Sequence, residues 1–82
     1  MSHKYSKKTI PERIIQIHNL CFSHFGDIRS VGIQYHDKIG WIAKAHFNDE
    51  FEDLTAEGKN ISHALGNLKR RIKKIIKRYN EV

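Results

Sequence analysis

Ser30-Val31-Gly32-Ile33-Gln34-Tyr35-His36-Asp37-Lys38-Ile39-Gly40-Trp41-Ile42-Ala43-Lys44-Ala45-His46-Phe47 is the stretch that decides the fold. Val31, Ile33 and Tyr35 alternate with Ser30, Gly32 and Gln34, the period of a strand buried on one face. Ile39, Trp41, Ala43, Ala45 and Phe47 alternate with Gly40, Ile42, Lys44 and His46, which predicts a second strand with an aromatic-rich face. His36-Asp37-Lys38 forms the turn between them, and so short a connection predicts antiparallel pairing. Asn48-Asp49-Glu50 marks a second turn, and Phe51 to about Glu57 reads as a short third strand.

On the N-terminal side the period becomes helical. Thr9 is an N-cap residue and Glu12 stands at the reciprocal capping-box position. Pro11 falls in the first turn, where its missing N–H is not needed. Ile10, Ile14, Ile17, Cys21 and Phe25 recur on one face, with Ile15, Leu20 and Phe22 widening the stripe. Gly26 closes the helix as a left-handed residue, so the spacing predicts a helix over 10–25.

On the C-terminal side Gly58 breaks the third strand and Asn60 is an N-cap residue. Ile61, Ala64, Leu65, Leu68, Ile72, Ile75, Ile76 and Tyr79 then follow at helical spacing. Gly66 inside this helix costs about 1 kcal/mol against alanine, and close packing on the sheet is the expected reason for it. The order is α-β-β-β-α. The predicted fold class is α+β, a two-layer sandwich of a three-stranded antiparallel sheet with both helices on one face. The predicted core is Ile14, Ile17, Cys21, Phe25, Val31, Ile33, Trp41, Ala43, Ala45, Leu65, Leu68, Ile72 and Ile75. Gln34, Lys44 and His46 point the other way, toward solvent or a partner. Residues 1–8 read as a flexible basic arm and 9–82 as a single domain.

A chain of 82 residues supports one core. Hydrophobic residues at 39% and charged residues at 29% place it among globular chains, not disordered ones. With Cys21 alone, no intrachain disulfide forms, and a reducing cytoplasm is the expected location. No apolar run reaches the ~18 residues of a membrane span. The basic start from Met1 to Lys8 leads into no apolar segment, so it is not read as a secretory signal.

Charge is segregated along the chain. Residues 1–13 carry +3, residues 14–58 carry −4, and residues 59–82 carry +7, within a total of +6. In the last segment Lys59, Lys69, Arg70, Arg71, Lys73, Lys74, Lys77 and Arg78 precede the lone acid, Glu81. A helix that needed only solubility would mix signs and gain i,i+4 ion pairs, whereas like charges at that spacing repel. The negative C-terminal end of the helix offsets part of the repulsion. An anion-binding face is the reading preferred over a merely solvated one.

Catalytic and metal signatures are not found. His3, His18, His24, His36, His46 and His63 include no pair at close zinc-ligand spacing. Gly26, Gly32, Gly40, Gly58 and Gly66 match no phosphate loop. The acids from Asp49 to Asp53 lack the calcium-loop pattern. His46, with Glu50 and Asp53 in reach across a turn, is read as a surface ion pair before an acid–base pair. Cys21, on the apolar stripe, is read as an inert buried thiol. No cofactor, no metal and no enzyme activity are expected.

Two resemblances refine this. The α-β-β-β-α order over about residues 10–79, with a basic last helix, resembles the double-stranded-RNA-binding domain. That resemblance implies a first helix in one minor groove, the first hairpin loop in the next, and bases on the intervening phosphates. By position it would assign Glu12 and Gln16 to one groove, His36 and Lys38 to the next, and Lys59 to phosphate. Gly40-Trp41-Ile42-Ala43 and the run Ala56-Glu57-Gly58-Lys59-Asn60-Ile61-Ser62-His63-Ala64-Leu65-Gly66-Asn67-Leu68 are similar to HicB-type antitoxins. That similarity implies a partial RNase-H-like unit binding a small RNase toxin.

The expected function is a small non-catalytic nucleic-acid-binding module, for structured RNA or DNA. Lys59, Lys69, Arg70, Arg71, Lys73, Lys74, Lys77 and Arg78 would meet phosphates, with Lys4, Lys7 and Lys8 as a tail. The alternative is a HicB-antitoxin-like or phage-type protein-interaction module with no direct nucleic-acid contact, acting on a protein partner or as a homodimer. A membrane-surface role for the last helix ranks third, because its apolar stripe is needed by the sheet.

Overall fold

A computed structural model of the chain describes residues 9–48 and 52–80. Helix α1 spans Ile10–Phe25, strands β1, β2 and β3 span Ser30–His36, Gly40–His46 and Leu54–Gly58, and helix α2 spans Ile61–Asn80. The capping box forms at the start of α1. Glu12 N–H donates to Thr9 Oγ1 at 3.3 Å, and Thr9 N–H donates to Glu12 Oε1 at 2.8 Å. Gly26 ends the helix at φ 72°, its N–H on the Phe22 carbonyl at 2.9 Å.

The strands pair in chain order, β1-β2-β3, and both pairings are antiparallel. Opposite pairs on the helix-covered face are Val31–Ala45, Ile33–Ala43 and Tyr35–Trp41, continued by Ala45–Leu54 and Ala43–Ala56. α1 packs on β1 and α2 on β2 and β3, so both helices cover one face. Ile17, Cys21, Ala43, Ala45, Ala64, Leu65, Leu68 and Ile72 are buried between the layers. Small Ala43 and Ala45 on the central strand leave room for the large side chains of the helices. At one end Phe25 meets both Phe47 and Tyr79 edge-on, with ring centroids 5.9 and 6.3 Å apart.

The sandwich is the one the sequence predicts, with differences of detail. β3 begins at Leu54, and Phe51, the expected start, lies outside the described residues with Asp49 and Glu50. β2 begins at Gly40, because Ile39 belongs to the turn, its N–H on the His36 carbonyl at 3.1 Å. Ile75 is not a core residue. It lies half-buried on the flank of α2 with Arg71, Lys74 and Arg78, while Ile76, one step around the helix, packs against the core. Ile28, Phe47 and Ala64 join the core instead. Ile28 sits in the α1–β1 connection, which Asp27 ties to the end of β2 by accepting from Asn48 N at 3.1 Å and Nδ2 at 2.7 Å. Gly66 is not explained by close packing, since a Cβ there would meet nothing within 4 Å.

Burial pushes the Cys21 thiol from 9.0 up to about 11. The folded state therefore holds the thiol proton to higher pH than the unfolded state does. The stability this contributes is complete below pH 9.0 and is lost as pH rises toward about 11. Urea midpoints taken across that range are expected to fall for the wild type. The part of the fall due to Cys21 is absent in Cys21→Ala, and parallel curves for the two proteins would show that the thiol is not coupled to folding.

Candidate nucleic-acid interface

The basic residues are placed by the way α2 is fastened to the sheet. Asn60 caps the helix, with His63 N–H on Asn60 Oδ1 at 2.9 Å. Two residues one turn apart then reach down to the outer side of β3. Asn67 Nδ2 donates to the Glu57 carbonyl at 2.7 Å, and Arg71 Nη1 donates to the Thr55 carbonyl at 2.9 Å. Those carbonyls face away from β2, where an edge strand would otherwise show unpaired groups. Arg70 Nη2 bonds in turn to Asn67 Oδ1. β3 and α2 are thus locked in one register.

Arg71 stands level with Thr55, one residue from the start of β3, and α2 runs antiparallel to that strand. Lys73, Lys74, Lys77 and Arg78 follow on the next two turns, and all four are exposed. The bases divide between two flanks. Arg71, Lys74, Lys77 and Arg78 surround Ile75 on the β3 side. Lys69 and Lys73 line a shallow groove with Gln16, Asn19, Leu20 and Ser23 of α1. The first flank offers charge alone, and the second combines charge with side-chain amides and a hydroxyl.

Not all the expected residues come together. Lys59 lies in the β3–α2 turn, at the opposite end of a helix about 30 Å long. Lys4, Lys7 and Lys8 lie outside the described residues. Arg71 and Arg70 hold carbonyl and amide oxygens of the fold, which sequence reasoning did not find. The only hint was the i,i+4 spacing of Asn67 and Arg71, and it becomes legible once the facing strand edge is known. The positions taken from the RNA-binding resemblance are dispersed. Glu12 is engaged in the capping box, Gln16 lines the helix groove, and His36 and Lys38 sit in the β1–β2 turn, with Lys38 N–H near His36 Nδ1 at 3.4 Å.

Ion pairs among the described residues include His46 with Asp53 at 2.8 Å and His36 with Asp37 at 3.7 Å. No described carboxylate pairs with Lys73, Lys74, Lys77 or Arg78. The His46–Asp53 pair is more than a third exposed on both sides, which is the geometry of a surface ion pair. Among the described residues, no group of three or more His, Cys, Asp or Glu side chains is placed to hold a metal ion, and no helix is long and apolar enough to cross a membrane. Neither a protein-family model, nor a curated protein, nor a solved structure matches the chain.

Proposed function

We propose that this protein is a small non-catalytic nucleic-acid-binding module that grips phosphates with α2. The observation carrying this is the placement of Lys73, Lys74, Lys77 and Arg78 together near the C-terminal end of α2, exposed and without a described carboxylate partner. Four like charges held on the last two turns of one rigid helix repel one another, and a polyanion relieves that repulsion. A phosphate backbone is the polyanion whose charges repeat at a spacing these side chains can span. The groove formed by Gln16, Asn19, Ser23, Lys69 and Lys73 adds groups that hydrogen-bond to phosphate or sugar oxygens.

Fluorescence anisotropy with labelled duplex RNA, duplex DNA and single strands tests this against salt. For four to six phosphates neutralised, log K on duplex DNA is expected to fall with log salt at a slope of about −4 to −5. A weaker slope of about −3 to −4 is expected on single strands. No binding to any of the three at ~50 mM salt, where such contacts are strong, would leave the HicB-like protein-interaction reading in its place.

A further inference from the structure

The two edges of the sheet are unlike. Thr55 and Glu57 turn their carbonyls away from β2, toward α2. In an antiparallel ladder a residue's N–H and C=O point the same way and successive residues alternate. Lys44 and Ile42, opposite them, therefore bond toward β1, where their partners are Gly32 and Gln34. Val31, Ile33 and Tyr35 are left with N–H and C=O groups directed outward from β1. Among the described residues nothing caps these groups as Asn67 and Arg71 cap β3.

The side of α1 above this edge carries two large exposed apolar side chains. Gln16, Leu20 and Ser23 face α2 across the helix groove, and Ile17 and Cys21 face the core. Ile15 and Phe22, two turns apart, lie on the remaining flank at 58% and 62% exposure with the half-buried His18 between them, and Tyr35 on β1 is 60% exposed. No Asp, Glu, Lys or Arg occurs from Ile14 to Phe25 or from Ser30 to Tyr35. In a chain with 29% charged residues, this is an uncharged surface with an open strand edge.

We infer that a second copy of this chain occupies this surface, pairing β1 with β1 antiparallel to give a continuous six-stranded sheet. The surface is self-complementary. A two-fold axis at Ile33, the middle of β1, sets Val31 against the partner's Tyr35, with three apolar side chains per copy on the helix side. Phe25 at the end of α1 meets Phe47, next to the start of β1, and Ile10 at its start lies beside Trp41, the partner of Tyr35 near the end of β1, so α1 runs antiparallel to β1 with its middle over the middle of the strand. The same axis therefore sets Ile15 against the partner's Phe22. The axis also leaves the two α2 helices at the outer ends of the assembly, so the +7 segments stay apart. Pairing through the β3 edge would bring them together.

Sedimentation equilibrium of the full chain without nucleic acid tests this, and its outcome does not depend on whether α2 binds phosphate. Carried to ~0.5 mM, the experiment converts most of the protein to dimer if Kd is ~0.1 mM or tighter. Two variants locate the interface. I15E/F22E changes only exposed side chains and is expected to remain monomeric with an unchanged melting curve. Tyr35→Pro removes an outward N–H, which an edge strand tolerates, and is expected to weaken association at least tenfold. A wild-type monomer throughout, or a dimer that both folded variants leave intact, overturns the inference.

Discussion

Gly58→Ala is expected to unfold a large fraction of the protein under conditions where the wild type is folded. A Cβ at Gly58 would lie 2.3 Å from Ala64 N, 2.7 Å from His63 C and 2.8 Å from Ala64 Cα. All three are main-chain atoms of the first turn of α2, so no side chain can rotate to make room. The helix would have to lift. Ala64, Leu65 and Leu68, each at 1% exposure or less, would leave the core with it, and the Asn67 and Arg71 bonds to β3 would stretch. Overpacking costs about 1–3 kcal/mol when side chains can adjust. A backbone-on-backbone clash belongs at ~3 kcal/mol or above, against a total stability of ~4–12 kcal/mol for a chain this size. The urea midpoint measures it. Gly66→Ala is the control in the same helix. Its Cβ enters open space, so that substitution is expected to raise stability by up to about 1 kcal/mol. Equal midpoints for Gly58→Ala and wild type would mean that α2 is not seated on the strand.

The second large effect is on binding. Replacing Lys73, Lys74, Lys77 and Arg78 together with glutamine removes the four exposed bases of the last two turns of α2. Each phosphate contact contributes about 0.9 to the salt slope on duplex DNA, so the slope is expected to lose about 3.5. Affinity at ~0.1 M salt should fall on the order of 100- to 1000-fold. Folding should change little. The lost attraction to the helix C-terminus and the relieved repulsion are each a few tenths of a kcal/mol per residue, and they oppose one another. Circular dichroism melts checks that the loss is one of binding and not of structure. Unchanged affinity in a folded variant would move the interface away from these residues, with the α1–α2 groove the next place to look.

What was legible in the sequence was what is encoded locally. Thr9 and Glu12 fix the start of α1 and Gly26 its end, because caps act within one turn. The alternation from Ser30 to Phe47 fixes the hairpin and its inward face. What was not legible depends on a neighbour distant in sequence. Ile28 has no periodic context, and it is buried because Asp27 anchors the connection to Asn48. Ile75 and Ile76 sit only one step apart on the helix, so which of them reaches the core depends on where α1 and β3 stand. The basic residues could be counted from the sequence. Their division into two flanks, and the engagement of Arg71 on Thr55, follow from the position of α2 over β3.

The chain-order arrangement of the sheet also bears on how quickly the protein folds. Each strand pairs with the next one along the chain, and α2 packs on the strand immediately before it. The β1–β2 hairpin closes through a three-residue turn, and the β3–α2 unit through a two-residue one. The entropy lost in closing a loop grows with its length, and here most closures are short. α1 alone must find a distant neighbour, α2. The sheet with its basic helix can therefore form as one early unit, with docking of α1 to α2 as the late step, and chains rich in such local contacts fold rapidly for their size.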